Sequence, residues 1–167
     1  MPFTPFHFGA GAALHALAPR HVSFLAFCAA NVLIDVESLV NLLGRRHPVH
    51  AFFHTYVGAT LVIVATVALF AAARHWAQRL RWPDPLRWQS LSLRQVVFGA
   101  AFGAYTHVLL DSVMHSDIRP LAPFSAANPL LLALSLDTLH LGCLLLGVAG
   151  ALVLGVRWWW SARENRR

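Results

Sequence analysis

Residues Tyr56 to Ala73 read YVGATLVIVATVALFAAA, a stretch without a single charge. At 1.5 Å of rise per residue, a helix of this length nearly crosses a hydrocarbon core of about 30 Å. Leu139 to Val156 has the same character. It closes on Arg157 followed by Trp158, Trp159 and Trp160, the cation and aromatic belt of a membrane interface. Two further apolar stretches carry ionisable residues. About Val22 to Leu43 contains Asp35 and Glu37, and about Gln95 to Met114 contains His107 and Asp111.

Composition agrees with this reading. Of 167 residues 57% are hydrophobic and 12% charged, whereas a soluble domain carries about 25% charged residues. The sequence therefore predicts an all-α fold, a polytopic transmembrane helical bundle of four spanning helices plus a short N-terminal half-helix. The half-helix is Phe8 to Ala18, too short to span and turned by Pro19-Arg20-His21 so that it folds back on the next span. Residues 1–160 form a single transmembrane helical domain, and 161–167 a short basic cytoplasmic tail. The opening residues Met1 to Pro5 lack the basic region of a signal peptide and are expected to persist in the mature chain. His115 to Leu136 reads as an irregular, proline-rich segment at the membrane surface. Cys28 and Cys143 lie in apolar runs and act as small hydrophobes.

All 13 basic residues are arginine, giving a net charge of +6. They flank apolar spans, so they speak of membrane orientation rather than of nucleic acid. Nine of the 13 fall in the 74–94 loop and the C-terminal tail, which places both in the cytoplasm. Only Arg45, Arg46 and Arg119 then stand outside. This orientation brings five of the seven acidic residues and seven of the ten histidines to the outer side.

Spacing orders that group. His50 and His54, read as one helix, share a face at i, i+4; His107, Asp111 and His115 form a stripe at i, i+4, i+8. Folding back of the half-helix sets His7 beside Asp35. Ionisable side chains inside a membrane cost roughly 2.5–3.5 kcal/mol each on insertion scales and face a partner or a cavity. A divalent metal ion, zinc or manganese, is such a partner for mixed imidazole and carboxylate ligands. The candidate ligands are His7, Asp35, His50, His54, His107 and Asp111. His115, Asp117, Asp137 and His140 are open between ligand, supporting partner and separate cluster. His15, His21 and His75 read as packing residues, and His47 as loop. Gly99 and Gly103, four apart, let a neighbouring helix approach closely.

These motifs, together with the early His7, resemble those of the membrane-bound metal-dependent hydrolase family of bacterial inner-membrane proteins. They are Asp35-Val36-Glu37 ending a long helix, His50-Ala51-Phe52-Phe53-His54-Thr55, His107-Val108-Leu109-Leu110-Asp111, and the proline-rich Asp117 to Ser125. The similarity covers roughly residues 1–145. Glu37 stands where relatives carry a second Asp, and Ala51-Phe52 where they carry Arg-Gly. The resemblance implies a hydrolase, and the membrane setting a lipid-like or amphiphilic ester or phosphoester substrate. One or two metal ions would activate water, with Glu37 or an unligated carboxylate as general base and Asp111 among the catalytic groups. Two other classes use the same residues: a proton or divalent-metal transporter, and a non-catalytic membrane scaffold. The inner halves of the spans are almost purely apolar, which disfavours a transport path.

Overall fold

The computed structural model describes residues 6–164. The expectations for Met1 to Pro5 and for the basic residues Arg166 and Arg167 fall outside the described residues. Five α-helices follow in order: α1 (His7–Leu17), α2 (Phe24–Leu43), α3 (Tyr56–Arg79), α4 (Leu93–Met114) and α5 (Leu136–Glu164). Short 3-10 turns occupy Phe52–His54 and Trp88–Ser90, and no strand occurs among the described residues. The four long helices are long and apolar enough to cross a membrane. They present Leu61, Val64, Leu69, Phe98, Leu141, Leu145 and Leu152 outward, a surface that water would not tolerate and lipid does. The chain is a helical membrane protein. Residues 161–164, expected in the tail, continue α5 as helix.

Helices α2, α3 and α4 each begin where a hydroxyl takes up orphan backbone donors. Ser23 Oγ accepts from Ala26 N at 3.1 Å, and Thr55 Oγ1 from Gly58 N at 2.9 Å. Ser92 and Gln95 form a reciprocal capping box that opens α4. α4 stops at His115, whose backbone turns extended.

α4 is the central helix. A Cβ on Gly99 would strike the Ser23 carbonyl, and one on Gly103 would lie 2.5 Å from the Phe27 carbonyl oxygen, so α2 and α4 run nearly backbone to backbone. α3 closes the other side, and Ala30, Ile34, Ala59, Val62, Ile63, Ala100, Ala104 and Val108 form the shared core. The half-helix α1 differs from expectation. It touches α2 through Gly11 on the Phe27 ring, but it packs chiefly against α5: Gly9 abuts the Cys143 carbonyl and Gly150 abuts Ala12 and Ala13. Small residues on both helices make that approach the closer one.

The bundle has two unlike ends. At one, the α1–α2 turn meets the start of α4 (Ser23 N donates to Gln95 O, 3.0 Å), and Arg157 Nη1 donates to Ala16 O at 2.7 Å. The 80–92 loop lies at this arginine-rich end. The opposite end holds His7, the C-terminal halves of α2 and α4, the 44–55 connection and the segment after α4, which Tyr56 N joins by donating to Pro120 O at 2.9 Å.

Candidate metal centre

Four side chains from three parts of the chain meet at that second end. Asp35 comes from α2, His54 from the 3-10 turn, and His107 and Asp111 from α4; one ligand atom of each lies within 4.8 Å of the others. All four are buried, His54 fully and Asp35 at 4% exposure. His54 Nε2 stands 3.6 Å from Asp35 Oδ1 and 3.5 Å from Asp111 Oδ2. His107 Nε2 stands 3.3 Å from each of the same two oxygens. His7 adds a third ring, its Nε2 3.1 Å from Asp111 Oδ1 and its ring edge-on to His107. The carboxylate that His7 meets is thus Asp111, in place of the expected Asp35, because α1 is displaced toward α5.

These contacts are too long for charge-assisted hydrogen bonds, which run about 2.7–2.9 Å. The Nε2 atoms of His7, His50, His54 and His107, with Asp111 Oδ1, have no hydrogen-bond partner among the described residues although all are buried. Buried polar atoms left unpaired are costly and rare. Here they converge. Zinc–nitrogen and zinc–oxygen bonds of about 2.0–2.1 Å imply ligand-to-ligand edges of about 3.3–3.4 Å in a tetrahedron. The His–carboxylate edges of 3.3–3.6 Å match that spacing. The residues present fit a divalent cation.

The far sides of the rings are anchored, as metal-binding imidazoles require. His107 Nδ1 donates to Asn31 Oδ1 at 3.0 Å, and Asn31 is itself oriented by donating Nδ2 to Phe27 O at 2.9 Å. Ser38 Oγ stands 3.5 Å from His54 Nδ1. His50 Nδ1 donates to Asp117 Oδ1 at 2.9 Å, while Asp117 Oδ2 accepts from Val49 N and His50 N, both at 3.0 Å. An Nδ1–H bonded outward leaves the Nε2 lone pair of His107 and His50 facing inward. Asn31 and Ser38 escaped the sequence reading. Their signal was present, since Asn31, Asp35 and Ser38 lie at i, i+4, i+7 on one face of an apolar helix.

His50 and His54 are neighbours, with ring centroids 4.8 Å apart, but not by the expected α-helical pairing. His50 precedes a 3-10 turn that contains His54. The reason is competition for backbone donors: Asp117 takes Val49 N and His50 N, and Glu37 takes Phe52 N (3.2 Å) and Phe53 N (2.6 Å). Glu37 is thereby committed to holding this connection and stands apart from the four-residue cluster. Asp137 is exposed and His140 stacks on Phe6, so neither joins it.

Charge follows geometry outside the spans. Burial works against a charged His54 ring, yet Asp111 and Asp35 outweigh it and raise its pKa above the ordinary value. Burial likewise opposes the Asp117 carboxylate, but the His50 backbone and ring lower its pKa. His115 is lowered, first by burial.

A cavity of about 620 Å³ lies beside the cluster, lined among others by His47, His50, Thr55, Ser116, Asp117 and Arg119. A larger groove of about 700 Å³ between α2 and α3 is apolar and includes none of the candidate ligands. The smaller cavity is the one lined by a candidate ligand, His50. No protein-family model, curated protein or solved structure matches this chain.

Proposed function

We propose that the chain is a membrane-embedded metal-dependent hydrolase of the bacterial inner membrane, as the resemblance of its motifs implies. Its site faces outward and its C-terminus lies in the cytoplasm. One observation carries this reading: the unpaired Nε2 atoms of His54 and His107 converge on the carboxylates of Asp35 and Asp111 at cation-binding spacing. These four residues would hold a zinc or manganese ion, with His7 as a further ligand.

A divalent ion in such a place supplies Lewis acidity and brings the pKa of water to about 7. The chain supplies the rest. Asn31 and Ser38 fix the ring orientations, and the packed α2–α4 contact excludes bulk water from the ligand side chains. Both rings meet Asp35 at Oδ1, which leaves Oδ2 to accept a proton; Glu37 is engaged by the backbone of Phe52 and Phe53. The cavity beside His50 receives the scissile group. An amphiphilic ester or phosphoester fits a site at the membrane surface with an apolar segment, Leu121 to Leu136, alongside. A transport reading lacks support in the packing: from the cluster toward the arginine-rich end the buried side chains are mostly apolar, among them Phe27, Ala30, Val62, Ala100 and Ala104, and the polar Thr66 and Ser23 are bonded locally, to Val62 O and Ala26 N.

The test is the metal content of the purified protein, together with metal-dependent hydrolysis of ester and phosphoester amphiphiles. Wild type should carry metal near stoichiometry, and Asp111→Asn and His54→Ala should lose it. Wild-type protein that copurifies without metal, and gains none on titration, would sink the proposal.

A further inference from the structure

Behind the four-residue cluster stands a second convergence. His50, Asp111 and His115 each offer a ligand atom within 4.8 Å of the others. His50 is 6% exposed, and its Nε2 has no partner among the described residues. The His50 ring lies face to face with that of His115, centroids 4.1 Å apart and planes inclined by 26°. The His50 ring is held from outside by Asp117 at 2.9 Å, and the His115 backbone by its N–H to Asp111 O and by Asn128, whose Nδ2 donates to Ser112 O at 2.8 Å and to His115 O at 3.4 Å.

We propose that His50, His115 and Asp111 form a second divalent-metal position, with Asp111 bridging it to the first. The proposal rests on the reading of Asp35, His54, His107 and Asp111 as a metal site. A carboxylate has two oxygens, and Asp111 is the residue common to both groups. The two positions differ in kind. The first has four protein ligands with His7 nearby. The second has three, the pattern that keeps a coordination place open for water or substrate. His50 is also the ligand that lines the 620 Å³ cavity, so the second position adjoins a space that a substrate can enter. Two divalent ions against the two carboxylates Asp35 and Asp111 leave net positive charge, while on the cavity wall Arg119 and Asp117 offset each other. Paired ions of this sort clamp the oxygens of a phosphoryl group in displacement reactions. The substrate class that fits is a phosphoester rather than a neutral ester.

The experiment is a manganese-to-protein ratio on full-length protein in detergent, loaded and then desalted. It is paired with electron paramagnetic resonance of the bound manganese. Wild type should hold two ions with an exchange-coupled spectrum. His115→Ala, at a half-buried side chain that should not disturb folding, should hold one ion with an uncoupled spectrum, and His50→Ala should do the same. A ratio of one in wild type, unchanged in His115→Ala, overturns the second position and leaves the first intact. Two ions retained with coupling in His115→Ala also overturns it. A ratio of zero in wild type overturns both readings. Among phosphoester and ester amphiphiles matched in chain length, the loaded enzyme should cleave the phosphoester; cleavage of the ester alone overturns the assigned substrate class.

Discussion

At the scale of single residues, orientation matters as much as ligand identity. A histidine ring has two nitrogens, and only a fixed far side commits the near side to one point. Asn31 performs that task for His107 and is itself held by the Phe27 carbonyl. Asn31→Ala should therefore weaken metal binding by roughly 10–100-fold with the ligand set untouched, as read by competition with a chelator. Asn31→Asp, which still offers an acceptor, should retain most of the affinity. Equal loss in both variants would mean that Asn31 serves packing alone. The His107–Asp111 pair was legible because both sit on one α-helix, where i, i+4 spacing translates directly into proximity. The Asp117–His50 bond was not: it joins residues 67 positions apart, and no local period encodes such a closure.

At the scale of elements, the site depends on how closely α2 and α4 can lie. Gly103 meets Phe27 O and stands near Asn31, so a methyl group there forces the helices apart at the point where Asn31 reaches His107. Gly103→Ala should lower stability by about 1–3 kcal/mol, as overpacking does, and should lower metal affinity with it. Gly142→Ala meets nothing within 4 Å and should leave both unchanged or raise stability slightly, since alanine is the better helix former. Thermal midpoints in detergent would separate the two, and equal midpoints would refute the close-packing account. The spans themselves were readable from apolar length, because a bilayer imposes that length on any helix crossing it. The connection 44–55 was not, since its fold answers to Glu37 and Asp117 rather than to its own pattern.

At the scale of the whole molecule, sidedness joins composition to chemistry. The ends of the bundle are sorted into one rich in arginine and one rich in histidine and acid, so a single orientation fixes both the positive face and the proposed site. In a Cys28→Ala, Cys143→Ala background, Ala126→Cys should react with an impermeant maleimide on intact cells. Ser90→Cys should react only after lysis, and the reverse pattern would invert the proposed topology. The antiparallel order of spans was legible from arginine bias; the partner of α1 was not, because an apolar half-helix offers small residues to α2 and α5 alike. That partnership bears on biosynthesis. His7 is made first, yet its helix leans on Cys143, Gly150 and Arg157 of the last helix. During translation α1 gains its main packing partner only when α5 is in place. A chain halted before α5 would carry every candidate ligand and still lack the helix against which α1 chiefly packs.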